Sequence, residues 1–312
     1  MILALGGGIG ASKLLLGLCQ VIDPTDLTII VNTGDDFILH GLTICPDLDT
    51  VTYTLAGVAD RDKGWGIEED TFHALDWLGR FGREVWFNLG DRDLATHVHR
   101  TAQLRQGLTL TDVTEGIRRS LGVRSRILPM TNDPVPTIVL TDQGPRSLQE
   151  YLVRDNARLG VRGVRFEGVE RSRPAPGVRE AIEAAEGIII CPSNPIISIA
   201  PILAVPGIRE ALRRTEAPIV GISPVVGGRS LKGPTDKFLI GLGHEVSALS
   251  VARLYQDVLD LLIVDRADVG LLSAIEALPI EARTAETVMH NLDAKASLAK
   301  ETLSCLAACR LQ

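Results

Sequence analysis

The stretch that decides the fold is ILALGGGIGASK, residues 2–13, at the start of a chain of 312 residues. Its apolar run over residues 2–5 predicts a buried strand, and the glycines that follow predict a tight turn into a helix over residues 11–19. A second apolar run at residues 27–31 has no polar alternation, which is typical of a strand covered on both faces. Strand, glycine turn, helix and strand in this order predict a right-handed βαβ unit.

Later segments continue this alternation of apolar runs and helical stretches. Further strands are predicted at residues 137–140, 187–191, 218–222 and 261–264, and helices at residues 91–105, 249–262 and 291–310. The pattern favours an α/β fold with a doubly wound, mainly parallel, Rossmann-like sheet. We expect one domain over residues 1–312, with a helical cap subdomain over roughly residues 60–125, where helical patterns occur without clear strands.

Composition excludes several classes of protein. The net charge of -7 argues against a basic nucleic-acid surface. The five cysteines are an odd number without CxxC pairs, which indicates a reduced, cytoplasmic protein. No basic segment precedes the first apolar run, and the apolar stretch 188–208 is interrupted by prolines, so we expect neither a signal peptide nor a membrane span.

The glycine turn is the first candidate site. Its spacing fits the loose dinucleotide pattern G-x-G-x-x-G/A, and it is not a P-loop. Glycines let a backbone approach phosphate closely, and the helix that follows offers free N–H groups. The candidate phosphate contacts are Gly6, Gly7, Gly8, Gly10 and Lys13. The alternative is a tight strand–helix turn without a ligand.

Acidic residues follow the second predicted strand. Asp36 ends the segment NTGDD, where open α/β sheets bind ligands, although such a loop can also be merely solvated. Asp47 and Asp49 in PDLDT lie two residues apart; on an extended segment they would point the same way and offer oxygen ligands to Mg²⁺. Asp49 could instead be the N-cap of a helix that begins near Thr50.

Three other groups could line a site. In LGDRDLATH, residues 89–97, Asp91 is a plausible helix cap, while Arg92 is unfavourable near a helix N-terminus and indicates an anionic or aromatic partner. A further glycine-rich loop over residues 227–233 could hold phosphate, with Lys232 as its cation. Polar residues after later strands could bind a base or ribose, or could simply form turns: Ser193, Asn194 and Ser223. With no zinc spacing and no nucleophile elbow, these groups favour phosphoryl chemistry, where positioning and a metal supply most of the catalysis.

Together these segments resemble the CofD family, the 2-phospho-L-lactate transferases of coenzyme F-420 biosynthesis. The matching motifs, in family order, are VNTGDD (31–36), ICPDLDT (44–50), GWG (64–66), LGDRDLATH (89–97), PSNP (192–195) and SP (223–224). Two positions depart from the family pattern. Ile9 stands where Thr or Val is common, and Asn132 stands where an acid is frequent, which puts any role at position 132 in doubt.

The resemblance implies an activity and residue roles. Such enzymes transfer a phospho-acid of the 2-phospholactate, phosphoenolpyruvate or 3-phosphoglycerate type from its guanosine diphosphate conjugate to the ribityl hydroxyl of the deazaflavin Fo, releasing GMP, with Mg²⁺. It makes Asp49 the leading metal ligand and catalytic residue, with Asp47 and Asp36 as further ligands. The glycine loop and Lys13 would hold the nucleotide phosphates, and the serines and Asn194 would face guanosine. Trp65, Asp91 and Arg92 would line the deazaflavin, and a homodimer is expected.

Two other classes compete with this interpretation. A protein similar to the gluconeogenesis factor YvcK would share the sheet and bind nucleotide sugars in a regulatory role, but its second loop typically continues with Gly and Ser, where this chain has FILHG (37–41) followed by PDLDT. An NAD-dependent dehydrogenase usually has an acid at the end of the second strand, where this chain has Asn32.

Overall fold

A computed structural model describes residues 1–60, 62–231 and 233–310 of the chain. Its strands are β1 (Ile2–Gly6), β2 (Leu27–Val31), β3 (Phe37–Leu39), β4 (Leu42–Ile44), β5 (Arg126–Pro129), β6 (Thr137–Thr141), β7 (Gly144–Ser147), β8 (Val161–Phe166), β9 (Gly187–Ile190), β10 (Ile219–Ile222), β11 (Val225–Val226), β12 (Arg229–Ser230), β13 (Leu261–Asp265) and β14 (Glu281–Ala285). Its helices are α1 (Gly8–Leu18), α2 (Pro46–Ala56), α3 (His73–Arg80), α4 (Asp91–Arg105), α5 (Leu110–Ser120), α6 (Val178–Glu183), α7 (Ala200–Ala204), α8 (Ile208–Arg214), α9 (Thr235–Gly241), α10 (Ala248–Tyr255), α11 (Leu272–Glu276) and α12 (Leu292–Cys309).

Seven strands form one sheet in the order β14-β13-β10-β9-β1-β2-β5, and every neighbouring pair is parallel. From β1 the chain first runs outward through β2 and β5, and then returns to build the other half from β9. This reversal between β1 and β9 is the topological switch point of a doubly wound sheet, the usual location of ligands. The predicted Rossmann-like fold class is confirmed.

The central strands are apolar throughout because helices cover both faces of the sheet. Leu3 and Leu5 pack into one core cluster and Ala4 into the other, so successive residues of β1 serve opposite faces. The same alternation divides Ile188 and Ile189 of β9. This arrangement explains the continuous apolar runs in the sequence.

Three predictions of secondary structure need correction. The run at residues 137–140 is strand β6, but it pairs antiparallel with β7 and β8 in a separate three-stranded sheet. The outer strands β5 and β14 were not predicted, because edge strands lack the fully apolar pattern; β14 reads EARTA. The helix predicted over residues 249–262 ends at Tyr255, since the chain must turn before β13 begins at Leu261.

Between α2 and β5 the described residues form helices α3, α4 and α5, joined by loops. We propose that these helices are the cap subdomain expected over residues 60–125. Among the described residues no single helix is long and apolar enough to cross a membrane, and one sharply bent helix pair, Pro195–Ala204 with Ile208–Arg214, meets the criteria of length and composition only.

Candidate active site

The glycine turn, the NTGDD segment and the PSNP segment meet at one edge of the sheet. They follow β1, β2 and β9, which are adjacent in the sheet. Because the strands are parallel, their carboxyl ends lie on the same side. The sequence-predicted groups from three distant parts of the chain are therefore brought together at the switch point.

Close contacts explain two of the glycines. A Cβ atom on Gly7 would lie 2.0 Å from Oδ2 of Asp47, and one on Gly10 would lie 2.1 Å from the carbonyl oxygen of Pro192. Ser193 joins the turn from the β9 side, where its hydroxyl donates to the Gly7 carbonyl at 2.9 Å and accepts from the Gly7 N–H at 3.3 Å. Any larger residue at Gly7 would displace Asp47, so the glycine turn and this carboxylate form one unit.

Asp35 and Asp47 are buried near this turn, and Asp36 beside them is half-buried. Nδ2 of Asn32 donates to Asp47 at 2.8 Å and to Asp35 at 3.5 Å, and Gln149 donates to Asp35 at 3.4 Å. One oxygen of Asp36, Oδ1, is buried without a hydrogen-bond partner. Within the described part of the chain, no Lys or Arg side chain forms an ion pair with Asp35, Asp36 or Asp47.

The electrostatics reflect this lack of a cation. Burial raises the pKa of Asp47 to about 6, although the hydrogen bond from Asn32 opposes the rise. Burial also raises the pKa of Asp35 well above its usual range, and the neighbouring charges of Asp47 and Asp36 add to the rise. For Asp36, burial again raises the pKa well above the usual range, while the Cys45 thiol and Arg100 lower it. A group of acids held apart from cations in this way favours binding of a positive ion.

Two cavities adjoin the three acids. The first, of about 300 Å³, is lined by Gly8, Asp47 and Trp65 among others. The second, of about 550 Å³, is mainly apolar and includes Thr33, Asp36 and Phe37 in its lining. Both cavities are bounded by Asp35, Leu148 and Gln149, which therefore form a shared wall.

Asp49 lies on a different side of its helix from Asp47. The prediction of an extended segment is wrong, because helix α2 begins at Pro46 and carries both acids in its first turn. The alternative of an N-cap at Asp49 is also wrong, since Cys45 occupies that position. Asp49 lines neither cavity, and its two oxygens accept from Nη1 of Arg100 at 3.0 Å and from Nη2.

A row of buried polar side chains extends from Asp49 between helices α2 and α4. His97 lies with Nδ1 3.7 Å from Asp49 Oδ2 and with Nε2 3.3 Å from Asp93 Oδ1. Tyr53 donates to the same Asp93 oxygen at 2.8 Å. Asp49, Asp93 and His97 offer ligand atoms that all lie within 4.8 Å of one another, a candidate metal-binding group.

Several residues of this region were missed from the sequence. Asp35, Gln149, Asp93 and Arg100 were not predicted as site residues. Asp93, His97 and Arg100 recur at intervals of four and three residues, which places them on one face of a helix; that spacing was the available signal. Nothing local in the sequence indicates that Gln149 reaches Asp35.

The residues predicted to contact nucleotide differ in their surroundings. Asn194 caps the following turn through its side-chain oxygen, which accepts from Ile196 and Ile197, and its Nδ2 is buried without a partner in the described chain. Ser223 exchanges hydrogen bonds with the backbone of Val225, as a turn former does. The Lys13 amine donates to the carbonyl of Met289 at 3.3 Å, on the outer face of α1. Lys232 lies outside the described residues.

Of the residues predicted to line the deazaflavin, one lines a cavity and two contact a neighbouring segment of the chain. Trp65 lines the first cavity. Asp91 accepts from Thr71 and from the N–H groups of His73 and Ala74, so it caps α3 and not its own helix. Arg92 donates to the carbonyl of Glu68 at 2.9 Å. Asp91 and Arg92 thus hold the segment that leads into α3.

The fold and this edge site define a Rossmann-like α/β protein whose acids gather beside a glycine turn. A sequence profile of the family described as "2-phospho-L-lactate transferase CofD" matches residues 2–306. The chain belongs to the CofD family, and it is a phosphotransferase.

Similar proteins of known name agree with this assignment. The chain is 43% identical over 308 residues to a phosphoenolpyruvate transferase of Streptomyces griseus, with 97% of each chain covered. It is 41% identical over 300 residues to a 2-phospho-L-lactate transferase of Methanothermobacter thermautotrophicus, with 96% of each covered. A crystal structure of a UPF0052 family member from Bacillus halodurans superposes with a TM-score of 0.67 over 97% of this chain and 98% of that one, at 18% identity, which speaks for the fold alone. The regulatory nucleotide-sugar binder is not favoured.

Proposed function

We propose that this protein transfers a phospho-acid from its guanosine diphosphate conjugate to the terminal ribityl hydroxyl of the deazaflavin Fo, with release of GMP, in coenzyme F-420 biosynthesis. The phospho-acid is 2-phospholactate, phosphoenolpyruvate or 3-phosphoglycerate. Relatives of both named donor types are similar to this chain to nearly the same degree, at 43% and 41% identity. Overall similarity therefore supports the reaction class and leaves the choice of donor to experiment.

The observation that carries the proposal is the shared wall between the two cavities. Asp35 borders both of them, and Asp47 borders the first together with Gly8 of the glycine turn. A transfer between two substrates needs two adjacent binding spaces that meet at the reacting group. The buried acids at this junction support an attacking hydroxyl and a diphosphate meeting beside them.

The buried acids fit a magnesium ion. Asp47, Asp35 and Asp36 supply carboxylate oxygens, the ligands that Mg²⁺ prefers. One Asp36 oxygen is buried without a hydrogen-bond partner among the described residues, which leaves it free for an ion. Bound there, Mg²⁺ would neutralise the diphosphate and the departing phosphate.

The protein's own residues would position and deprotonate the acceptor. The ribityl oxygen attacks the phosphorus atom of the phospho-acid. The bond from that phosphorus to the GMP phosphate oxygen breaks, so that GMP leaves. The proton of the ribityl hydroxyl passes to a carboxylate. Asp47 suits this last role because it borders both the glycine turn and the first cavity. Asp49, which the resemblance implies as the catalytic residue, could reach substrate only if its ion pair with Arg100 opened. We therefore propose Asp47 as the leading acid and Asp49 as the second.

The remaining contacts follow the cavities. Trp65 would stack on the deazaflavin in the first cavity, with Asp91 and Arg92 shaping the segment around it. The turn from Gly6 to Gly10 would hold the phosphates. Asn194, with its free Nδ2, is a stronger candidate for guanosine than Ser193 or Ser223, whose hydroxyls are engaged with backbone. Lys13 would contribute only by leaving Met289.

We also propose a cytoplasmic homodimer that acts on small molecules and binds neither nucleic acid nor membrane. The five free cysteines support a reducing compartment. The dimer is implied by the resemblance and is tested by light scattering of the purified protein.

The direct test is to incubate the purified protein with Fo, Mg²⁺ and each of the three guanosine diphosphate conjugates, and to weigh the products. We expect one conjugate to give the phospho-acid ester of Fo with an equal amount of GMP, and a chelator to stop the reaction. Absence of product with all three donors would contradict the proposal. Strong thermal stabilisation by UDP-N-acetylglucosamine, with none by guanine nucleotides, would point instead to the regulatory binder.

A further inference from the structure

The cluster of Asp49, Asp93 and His97 has the donor set of a metal site. Its three ligand atoms lie within 4.8 Å of one another, and all three residues are buried. Two carboxylates and an imidazole suit several divalent ions. None of the three residues lines either cavity.

A guanidinium lies between Asp49 and His97 of this cluster. Nη1 of Arg100 donates to Asp49 Oδ2 at 3.0 Å and lies 3.2 Å from Nδ1 of His97, and Nη2 contacts the other Asp49 oxygen. Arginine has no acceptor, so this contact requires a lone pair on Nδ1 and places the imidazole proton on Nε2. Nε2 lies 3.3 Å from Asp93 Oδ1, although the geometry there is not that of a hydrogen bond among the described residues. An imidazole with one nitrogen toward a cation and a carboxylate behind the other is the arrangement of metal-bound histidines.

We infer that Arg100 is a built-in cation at the place that a divalent ion would occupy between Asp49 and His97, so that the chain binds no divalent ion at Asp49, Asp93 and His97. The inference relies on the proposed function only for the ion at Asp47, and it assigns Arg100 a positioning role: it holds Asp49 and limits the number of ions.

The guanidinium is anchored from three elements. Besides Asp49 on α2 and its own helix α4, Arg100 lies 3.4 Å from the carbonyl oxygen of Thr43 on β4. Its side chain is 2% exposed. A lysine keeps the charge but cannot make the paired contact with both carboxylate oxygens. Removal of the charge leaves Asp49 without its cation, which opens the cluster to a metal ion.

The test counts bound Mn²⁺, which reports on Asp and His ligands, by equilibrium dialysis and by electron paramagnetic resonance of the full-length protein. Arg100→Met keeps the length of the side chain and removes its charge, and we expect it to bind one more Mn²⁺ per chain than the natural protein. Arg100→Lys should not gain that ion. The double variant Arg100→Met/His97→Gln should lose the gained ion, because a ligand is missing.

A further variant separates this inference from the proposed function. Arg100→Met/Asp47→Asn should keep the gained ion even where the ion at Asp47 is absent. If Arg100→Met is too unstable for dialysis, its melting temperature should rise by roughly 5 °C in saturating Mn²⁺, against no such extra rise for Arg100→Lys. Equal Mn²⁺ counts in the natural protein and a folded Arg100→Met variant would overturn the inference. So would an Arg100→Met chain that Mn²⁺ fails to stabilise.

Discussion

Helix α2 carries two aspartates, two residues apart, in opposite electrostatic settings. Asp47 borders the glycine turn and a cavity, and it accepts a hydrogen bond from the neutral amide of Asn32. Asp49 lies against α4, where Arg100 engages both of its oxygens. Both side chains are buried to a similar degree, at 9% and 6% exposure, so burial does not distinguish them.

The comparison teaches that a neighbouring positive charge, and neither burial nor the sequence motif, distinguishes the two acids. An aspartate without such a neighbour is available for catalysis, whereas one paired with arginine is held in an ion pair. Burial raises the pKa of both acids, but at Asp49 the Arg100 guanidinium opposes the rise, whereas at Asp47 the neutral amide of Asn32 opposes it. A buried carboxylate paired with arginine is costly to disturb, since removal of either partner leaves the other charge uncompensated. The two aspartates should therefore fail in different ways when they are replaced.

The largest expected effect is on catalysis at Asp47. Asp47→Asn should lower kcat/KM for the transfer roughly 10³-fold, because it removes the acid that adjoins both the glycine turn and the first cavity. The change is nearly isosteric, so the urea midpoint at pH 7 should not fall. Steady-state assays with Fo as the acceptor measure the first quantity. Near-normal turnover in a folded Asp47→Asn protein would assign the leading role to another acid.

Asp49 should respond mainly through stability. Asp49→Asn breaks a buried ion pair and should lower the free energy of unfolding by about 3–5 kcal/mol. Urea titration measures the loss, with Asp47→Asn as the matched control on the same helix. If Asp49→Asn instead kept its stability and lost all transfer, the direct catalytic role implied by the family resemblance would be supported.

A smaller effect concerns the pH dependence of stability. The folded-state pKa of Asp47 is raised from 3.8 to about 6, so its contribution to stability is complete below pH 3.8 and is lost as the pH rises through 6. Between about pH 4 and pH 7 the natural metal-free protein should lose up to about 3 kcal/mol relative to Asp47→Asn. Urea midpoints of both proteins across this range give the difference. Parallel curves would show that Asp47 is not a titrating group.

The smallest effect concerns Asp91 and Asp70, which cap each other's helices. Asp70 accepts from the N–H groups of Arg92 and Asp93, as Asp91 does from those of α3. Asp91→Ala and Asp70→Ala should each lower the urea midpoint slightly, because each removes acceptors of helix N–H groups. The KM for Fo in these two matched variants tests the predicted substrate role. A KM for Fo that rises in Asp91→Ala but not in Asp70→Ala would support a direct contact between Asp91 and the deazaflavin. Equal KM values in the two variants would show that Asp91 acts only as a helix cap.

Much of the central fold was predictable because its signals are local. The runs at residues 2–5 and 27–31 are strands β1 and β2, and helix α4 has the predicted bounds. Strand β6 was assigned to the wrong sheet, because an apolar run does not specify its pairing partner. Strands β5 and β14 were missed, since edge strands that are partly exposed need less apolar surface.

The sequence by itself determined the βαβ start, the glycine turn, the mainly parallel character of the central sheet and the membership of the CofD family, because these depend on periodicity and on spacing within short segments. Only the tertiary structure decided which aspartate of PDLDT faces the cavity. That outcome depends on Arg100, 51 residues further along the chain, reaching Asp49 across the contact between α2 and α4. A charge pair of this kind is selected by how the helices pack, and the spacing of residues within either helix does not specify it.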